Sequence, residues 1–326
     1  MRCRPVDADL QQHYANLINF MLEGRVVPFL GAGANLCGRP HEAVWHEHEK
    51  RFLPSGGELS TYLSNEFHTP ADADLARVSQ YVSLTTGTGA LFGALHDLFD
   101  HDYEPTALHR LFAELPSVMR EKNIPQRFQL IVSTNYDDLL ERAFMAAGEP
   151  FDLVTYISDG DKRGKFAHTG PDGTTRIIDI PNQYGDLSLE RRTIILKIHG
   201  AVNRAISDGE GDSYVITEDH YIDYLTRTDL ANLIPVTLTA KLRKSHFLFL
   251  GYGLRDWNLR VILHRIAGEQ RLTYKSWAIQ RAPTALDQKF WGRRDVDILD
   301  IDLARYIAAL RGRLRLMPPI EAVARA

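Results

Sequence analysis

Four short stretches carry the residue types from which chemistry could be built. They are Gly31-Ala32-Gly33-Ala34-Asn35, Ser133-Thr134-Asn135-Tyr136-Asp137, Ile198-His199-Gly200 and Gly251-Tyr252-Gly253. Each follows an apolar run, so each stands where a strand hands over to a turn. In the first and last, the lack of side-chain bulk lets backbone N–H groups approach a phosphate closely, and a side chain at Gly33 is expected to obstruct it. The middle two bring an amide, Asn135, and an imidazole, His199. An amide both donates and accepts, whereas an imidazole titrating near neutrality can take a proton from a hydroxyl or a water.

Singly, each has a plainer reading. The Gly-Ala-Gly turn could be an ordinary strand-to-helix turn, since Leu36 stands where a dinucleotide fingerprint has its third glycine. Asn135 could be a helix N-cap, His199 a satisfied core histidine, and Asp256 the cap of the helix that follows it. Joint placement shifts the balance. In a parallel sheet all C-terminal strand ends lie on one edge, where open α/β folds bind ligands.

The elements that would place them there are legible in the hydrophobic pattern. Strands are expected at Val26–Leu30, Phe128–Thr134, Phe151–Tyr156, Thr193–Ile198, His246–Leu250, Ser276–Gln280 and Val296–Ile301, with a hairpin excursion over 158–192. Pro28 is anomalous, because proline removes a ladder donor and normally belongs at an edge or a strand end. Helices are expected over Gln11–Glu23, after Asp137-Asp138, at Leu254–Ile266 and from Asp302 to Leu314. Residues 36–127 carry helical spacing instead of strand signals, with helices at Leu75–Leu84, Ala90–Phe99 and Thr106–Leu115 and a break at Pro54-Ser55-Gly56-Gly57. Strands alternating with helices predict a Rossmann-like, doubly wound parallel α/β sheet. We read residues 1–326 as a single domain, with core segments 26–35 and 128–314 and a helical lid or subdomain inserted at 36–127.

Composition excludes several classes. A net charge of -4 gives no electrostatic case for direct nucleic-acid binding. No apolar run is long enough for a bilayer, and no membrane role is expected. Two cysteines, Cys3 and Cys37, suit a cytoplasmic protein and cannot form a four-cysteine zinc site. The spacing of His41, His46 and His48 matches no metal-ligand pattern, so metal ligands are not expected.

Three of the motifs, in their order along the chain, resemble the signature motifs of the sirtuins: Gly31-Ala32-Gly33-Ala34-Asn35, Thr134-Asn135-Tyr136-Asp137 and Ile198-His199-Gly200. Leu250-Gly251-Tyr252-Gly253-Leu254-Arg255-Asp256 resembles the bacterial sirtuin-like subfamily associated with antiphage defence. The resemblance runs from about Val26 to Ile266. It implies that NAD binds with its pyrophosphate at the glycine loop and that Asn135 and His199 flank the nicotinamide ribose. Asp137 would support the loop carrying Asn135. Gly31, Ala32, Gly33, Asn35, Thr134, Asp137, Gly251, Tyr252, Gly253 and Asp256 form the implied cofactor-binding set. The chain departs from the pattern in three ways. It lacks the cysteines of the deacylases' zinc module, Asn35 replaces a serine, and Gly253 stands where the defence subfamily often has serine.

The implied chemistry is cleavage of the nicotinamide–ribose bond. Nicotinamide leaves neutral from a cationic precursor, and the site must hold an oxocarbenium-like ribose while admitting one nucleophile. With water as nucleophile the chain is an NAD glycohydrolase, and the resemblance makes it an NAD-depleting antiphage effector. A deacylase, an ADP-ribosyltransferase and a non-catalytic NAD or ADP-ribose sensor remain open. In the resembling family partners include HerA-type ATPases, short Argonautes and viral proteins. A homo-oligomer or a hetero-complex with such a defence protein is therefore expected, through the helical insertion and the C-terminal helix bearing Arg311, Arg313 and Arg315.

Overall fold

The computed structural model describes residues 6–204, 211–226, 233–253, 263 and 274–319. In chain order the strands are β1 (Val26–Leu30), β2 (Leu130–Ser133), β3 (Phe151–Tyr156), β4 (Phe166–Thr169) and β5 (Thr175–Ile178). They continue with β6 (Thr193–Lys197), β7 (Gly200–Ala201), β8 (Ser213–Tyr214), β9 (His246–Leu250), β10 (Ser276–Ile279) and β11 (Val296–Leu299). The helices begin with α1 (Val6–Leu22), α2 (Gly56–Glu66), α3 (Leu75–Thr86), α4 (Thr88–Phe99) and α5 (Ala107–Glu121). Then come α6 (Leu139–Ala146), α7 (Glu218–Thr226), α8 (Val236–Arg243), α9 (Ala285–Gly292) and α10 (Leu303–Leu316). The helix expected at Leu254–Ile266 lies outside the described residues apart from Leu263.

A nine-stranded sheet runs β11-β10-β9-β1-β2-β6-β3-β4-β5. All neighbours are parallel except β3–β4 and β4–β5, the antiparallel excursion. From β1 the chain builds one wing through β2 and β6, then returns to add β9, β10 and β11 on the other side. The order reverses between β1 and β9, the switch point beyond whose strand ends ligands of doubly wound folds bind.

Pro28 lies in this central strand, not at an edge. Alternate residues of a parallel strand bond to opposite neighbours. Arg25 O accepts from His246 and the Gly31 N–H donates to Leu250 O, so odd positions of β1 face β9. Position 28 therefore faces β2, and the β2 ladder begins only at Phe29↔Val132. The proline therefore costs β1 one bond at the very start of the β2 ladder, while its pairing with β9 is untouched.

The sheet is apolar on both faces, as a covered parallel sheet must be. Val27 and Phe29 join Val132, Leu196, Phe247 and Phe249 in one core with Tyr224 of α7 and Leu238 and Leu242 of α8. Val26 and Leu30 join Ile131, Ile195, Leu248 and Leu250 in the other, beneath α1, α5, α6 and α10. Helix α5 belongs to this second layer. It continues through Pro116, past the expected end at Leu115, because Leu111, Phe112, Leu115 and Met119 are all buried against the sheet side and outweigh one lost helix bond.

Helices α2, α3 and α4 make a cap with an apolar core of their own, including Leu59, Leu63, Val78, Val82, Leu91 and Leu95. It docks on Leu139, Tyr214 and Ile216. Two polar latches fix it. Buried His96 bonds Asp212 at 2.9 Å, and Arg204 spans Asp100, Asp102 and Asp138 at 2.8, 2.9 and 2.9 Å. The C-terminal arginines, expected to belong to a contact surface, also bond within the chain. Arg311 and Arg315 both bind Glu114 of α5, while Arg313 lies over the Tyr14 ring at 4.2 Å and bonds Gln11.

Candidate functional site

The two glycine turns pack on each other. The Gly31 N–H donates to Leu250 O at 3.0 Å and the Gly33 N–H to Gly251 O at 2.9 Å. A Cβ at Gly31 would come within 2.7 Å of both Gly251 O and the Tyr252 ring, and one at Gly33 within 2.8 Å of Gly251 O. Gly251 has φ +71°, and its Cβ would fall on the Ala34 amide and the Gly33 carbonyl carbon. The glycines are thus demanded first by loop-on-loop contact, and a valine at Gly33 meets Gly251 before any ligand. Gly251→Ala is expected to cost about 1–3 kcal/mol from backbone strain alone, read by urea denaturation. A variant within about 0.5 kcal/mol of wild type would mean the turns part freely.

Beyond these turns opens a cavity of about 610 Å³. Of the residues singled out from sequence, Ala32, Gly33, Asn35, Thr134, Asn135, Asp137, His199, Gly251, Tyr252 and Gly253 all line it. Gly31 lies behind, in the loop contact, and Asp256 lies outside the described residues. The opposite wall comes from the cap: Ser55, Gly56 and Gly57 at the start of α2, and Asp74 and Leu75 at the start of α3. The sequence pattern showed Pro54-Ser55-Gly56-Gly57 only as a break.

Several of these groups are already occupied. Tyr252 Oη donates to Thr134 Oγ1 at 2.9 Å. Asp137 Oδ1 accepts from the Leu139 amide at the head of α6, and its Oδ2 accepts from Asn35 Nδ2 at 2.6 Å. The carboxylate so joins the glycine loop to the segment carrying Asn135. Asn135 Nδ2 donates to Asn35 Oδ1 at 3.4 Å. That leaves two atoms with no partner among the described residues, Asn135 Oδ1 and His199 Nε2, in side chains only 7% and 4% exposed. An unsatisfied buried polar atom costs stability, so two of them in residues lining one cavity make this edge the candidate place for a ligand or water.

His199 departs from the imidazole expected to titrate near neutrality. Burial pushes its pKa down to about 3, and the edges of the Tyr221 and Tyr224 rings stand 5.6 and 5.8 Å away. It is a neutral imidazole. Burial also lowers His13 and His109, each to about 4. In the unfolded chain all three take a proton near their ordinary value of 6.5. The unfolded state therefore binds more protons between pH 6.5 and about 4, and stability falls as pH drops through that window. Urea denaturation should show a loss of at least about 2 kcal/mol between pH 7.5 and pH 5. Equal stability at both would mean these histidines are charged or solvated in the folded state.

Under the Asn135 segment lies a pair the sequence reading passed over. Lys197, at the end of β6, is 1% exposed; its Nζ donates to the Asp137 carbonyl and to Glu141 Oε1, the latter at 2.8 Å. Burial raises the Glu141 pKa, opposed by the Lys197 charge. The signal was available, since a lysine in the run Ile194-Ile195-Leu196-Lys197-Ile198 needs a buried partner. Among the described residues no group of three or more His, Cys, Asp or Glu side chains is placed to hold a metal ion, and no helix is long and apolar enough to cross a membrane.

A family model described as a SIR2-like domain matches residues 129–299. The chain is 23% identical over 285 residues to "Defense-associated sirtuin 2" of Bacillus subtilis, covering 85% of this chain and 23% of that protein. It is 28% identical over 236 residues to "NAD(+) hydrolase ThsA" of Acinetobacter baumannii, covering 72% and 38%. With the protein of the same name from Enterococcus faecium it shares 29% over 199 residues, covering 60% and 32%. The chain spans between 23% and 38% of the length of these relatives.

Proposed function

The chain belongs to the SIR2-like domain family, and we propose that it is an NAD glycohydrolase, converting NAD and water to nicotinamide, ADP-ribose and a proton. One observation carries this reading: Asn135 and His199, whose buried Oδ1 and Nε2 atoms have no partner among the described residues, line one cavity beside two interlocked glycine turns. With the His199 proton on Nδ1, the two are acceptors that suit the vicinal hydroxyls of a ribose, which are two donors side by side. The relatives' names, an NAD(+) hydrolase and a defence-associated sirtuin, support the same substrate and an NAD-depleting role in antiphage defence.

In this reading Asn135 and His199 hold the ribose as its bond to nicotinamide lengthens and positive charge grows on the ring. Nicotinamide departs with the bonding electrons as a neutral molecule. Water adds to the carbon it leaves, forming a protonated adduct far more acidic than an imidazolium. Even a histidine pushed down to about 3 can accept that proton, so its depressed pKa suits an acceptor that stays neutral until the last step. We assign Thr134, Asp137, Asn35 and the two glycine turns to shaping this cleft, and retain Asp256 as a proposed cofactor-binding residue on the family resemblance. No zinc enters the proposal. We further propose one sirtuin-like domain with residues 36–127 as its insertion, a cytoplasmic location, and control by a homo-oligomer or a defence partner.

The test is incubation of the full chain with NAD alone and with the proteins it associates with in its host. Nicotinamide and free ADP-ribose released in equal amounts support hydrolysis. A cyclic product, or ADP-ribose attached to protein, moves the same site to cyclisation or transfer. NAD left intact under both conditions rejects the enzyme.

A further inference from the structure

We propose that Asn35 is a positioning residue: held by Asp137, it decides which end of the Asn135 amide is left for the substrate, and it leaves the acceptor. The inference rests on the NAD glycohydrolase reading and adds to it a reason why Asn135 offers oxygen and not nitrogen. The two ends of an amide are nearly alike in shape and opposite in hydrogen-bonding sense, so the network around one end fixes what the other presents. Asn35, in the turn after β1, and Asn135 and Asp137, after β2, are 9%, 7% and 5% exposed. A mismatched pair among them has little water to stand in for the missing partner.

The sense is set from Asp137 outward. A carboxylate offers acceptors only. Its Oδ1 takes the Leu139 N–H at 3.1 Å, and the Asp137 main-chain oxygen accepts from the buried Lys197 ammonium, so this anchor is fixed from two sides. Asp137 Oδ2 accepts from Asn35 Nδ2 at 2.6 Å. Turned over, Asn35 would set oxygen against oxygen at that distance. Its Oδ1 therefore faces away from Asp137, and it meets Asn135 Nδ2 at 3.4 Å. Turning Asn135 over would again oppose two oxygens. One arrangement of this relay remains, with Asn135 Oδ1 left over, and that atom has no partner among the described residues.

In the proposed reaction the left-over oxygen accepts from a ribose hydroxyl. An amide free to turn would present its NH2 group to that hydroxyl for part of the time. Holding it in one sense beforehand removes that reorganisation from the step in which charge develops on the ring. Asn35 lines the cavity as well, but both ends of its amide are committed, so it acts through Asn135.

The test exchanges the two residues. With Asn35→Asp and Asp137→Asn together, the carboxylate sits at position 35, accepts from the amide at 137 and from Asn135 Nδ2, and preserves the sense of Asn135. Asp137→Asn alone leaves no acceptor-only anchor, and Asn35→Asp alone opposes two carboxylates. Nicotinamide release is measured on the full chain, with whichever host proteins support turnover, beside a thermal melt. Each single variant should lose at least about tenfold in kcat, with KM for NAD within about threefold of wild type. The exchanged variant should recover to within about threefold of wild-type kcat, and should melt above either single variant. Single variants with wild-type kcat overturn the relay. An exchanged variant that does not fold, or turns over no faster than the better single variant, also overturns it; in the second case recovered melting shows a purely structural pair. Wild-type protein that leaves NAD intact under every condition overturns the NAD reading instead. The melts then judge the relay alone: recovery on exchange supports it, and no recovery overturns it.

Discussion

Asn135→Ala and His199→Ala proteins are expected to fold like the parent and to cleave NAD at least about a hundredfold more slowly, a loss of about 2.7 kcal/mol or more of transition-state stabilisation. The fold survives because neither side-chain atom in question holds the protein together. Asn135 Oδ1 and His199 Nε2 have no partner among the described residues, and the one bond from Asn135 Nδ2 is long, at 3.4 Å. Removing an unsatisfied buried polar group costs little stability and can add some. In the proposed mechanism the rate suffers because these groups meet the ribose as its charge develops. Measurement pairs a urea melt with nicotinamide release at saturating NAD. Near-normal turnover in a well-folded His199→Ala protein removes the imidazole from the mechanism, and the same result for Asn135→Ala removes the amide.

Lys197→Met should show the opposite pattern, a large loss of stability from a residue that does not line the cavity. Its ammonium is the partner of Glu141, which is only 6% exposed, and it also holds the Asp137 carbonyl. With lysine gone, Glu141 faces an apolar interior alone and must take up a proton or draw in water. Breaking a buried pair from one side typically costs about 3–5 kcal/mol, while replacing both partners by apolar groups is often neutral. Lys197→Met should therefore be destabilised by that amount, and Lys197→Met with Glu141→Leu should recover most of it. The double variant still lacks the donor beneath the Asn135 segment, so its turnover should stay below wild type. A single variant within about 1 kcal/mol of the parent would show the pair to be solvated.

What the sequence made legible was the sheet and the residues at its edge. Apolar runs ending in glycine, asparagine or histidine locate β1, β2, β6 and β9 to within a residue or two, because buried parallel strands are apolar on both faces and end abruptly. Helices α7, α8 and α9 were not read, being short and held by packing instead of a strong amphipathic stripe. The cap's share of the cavity was also hidden. Ser55, Gly56 and Gly57 look like punctuation in a linear pattern, and only tertiary placement turns a helix start toward the edge of a distant sheet. Pro28 misled for a related reason: one-dimensional propensity cannot say which neighbour a missing donor faces. The state of His199 was illegible too, since its pKa is set by burial beside aromatic rings from a helix that was not foreseen.

The pairing of β1 with β9 bears on how the protein is made. β1 lies near the start of the chain, yet along its full length it pairs with a strand beginning at His246, and its glycine turn closes only against Gly251. While the chain is emerging from the ribosome, the first turn, Asn135 and His199 are all synthesised before the element that locks them to one edge exists. Contacts so distant in sequence form late, because the loop they close is long. A nascent or prematurely ended chain therefore has no finished cleft. Under the NAD hydrolase reading proposed above, synthesis itself would be a safeguard, and a fragment ending before β9 would lack activity.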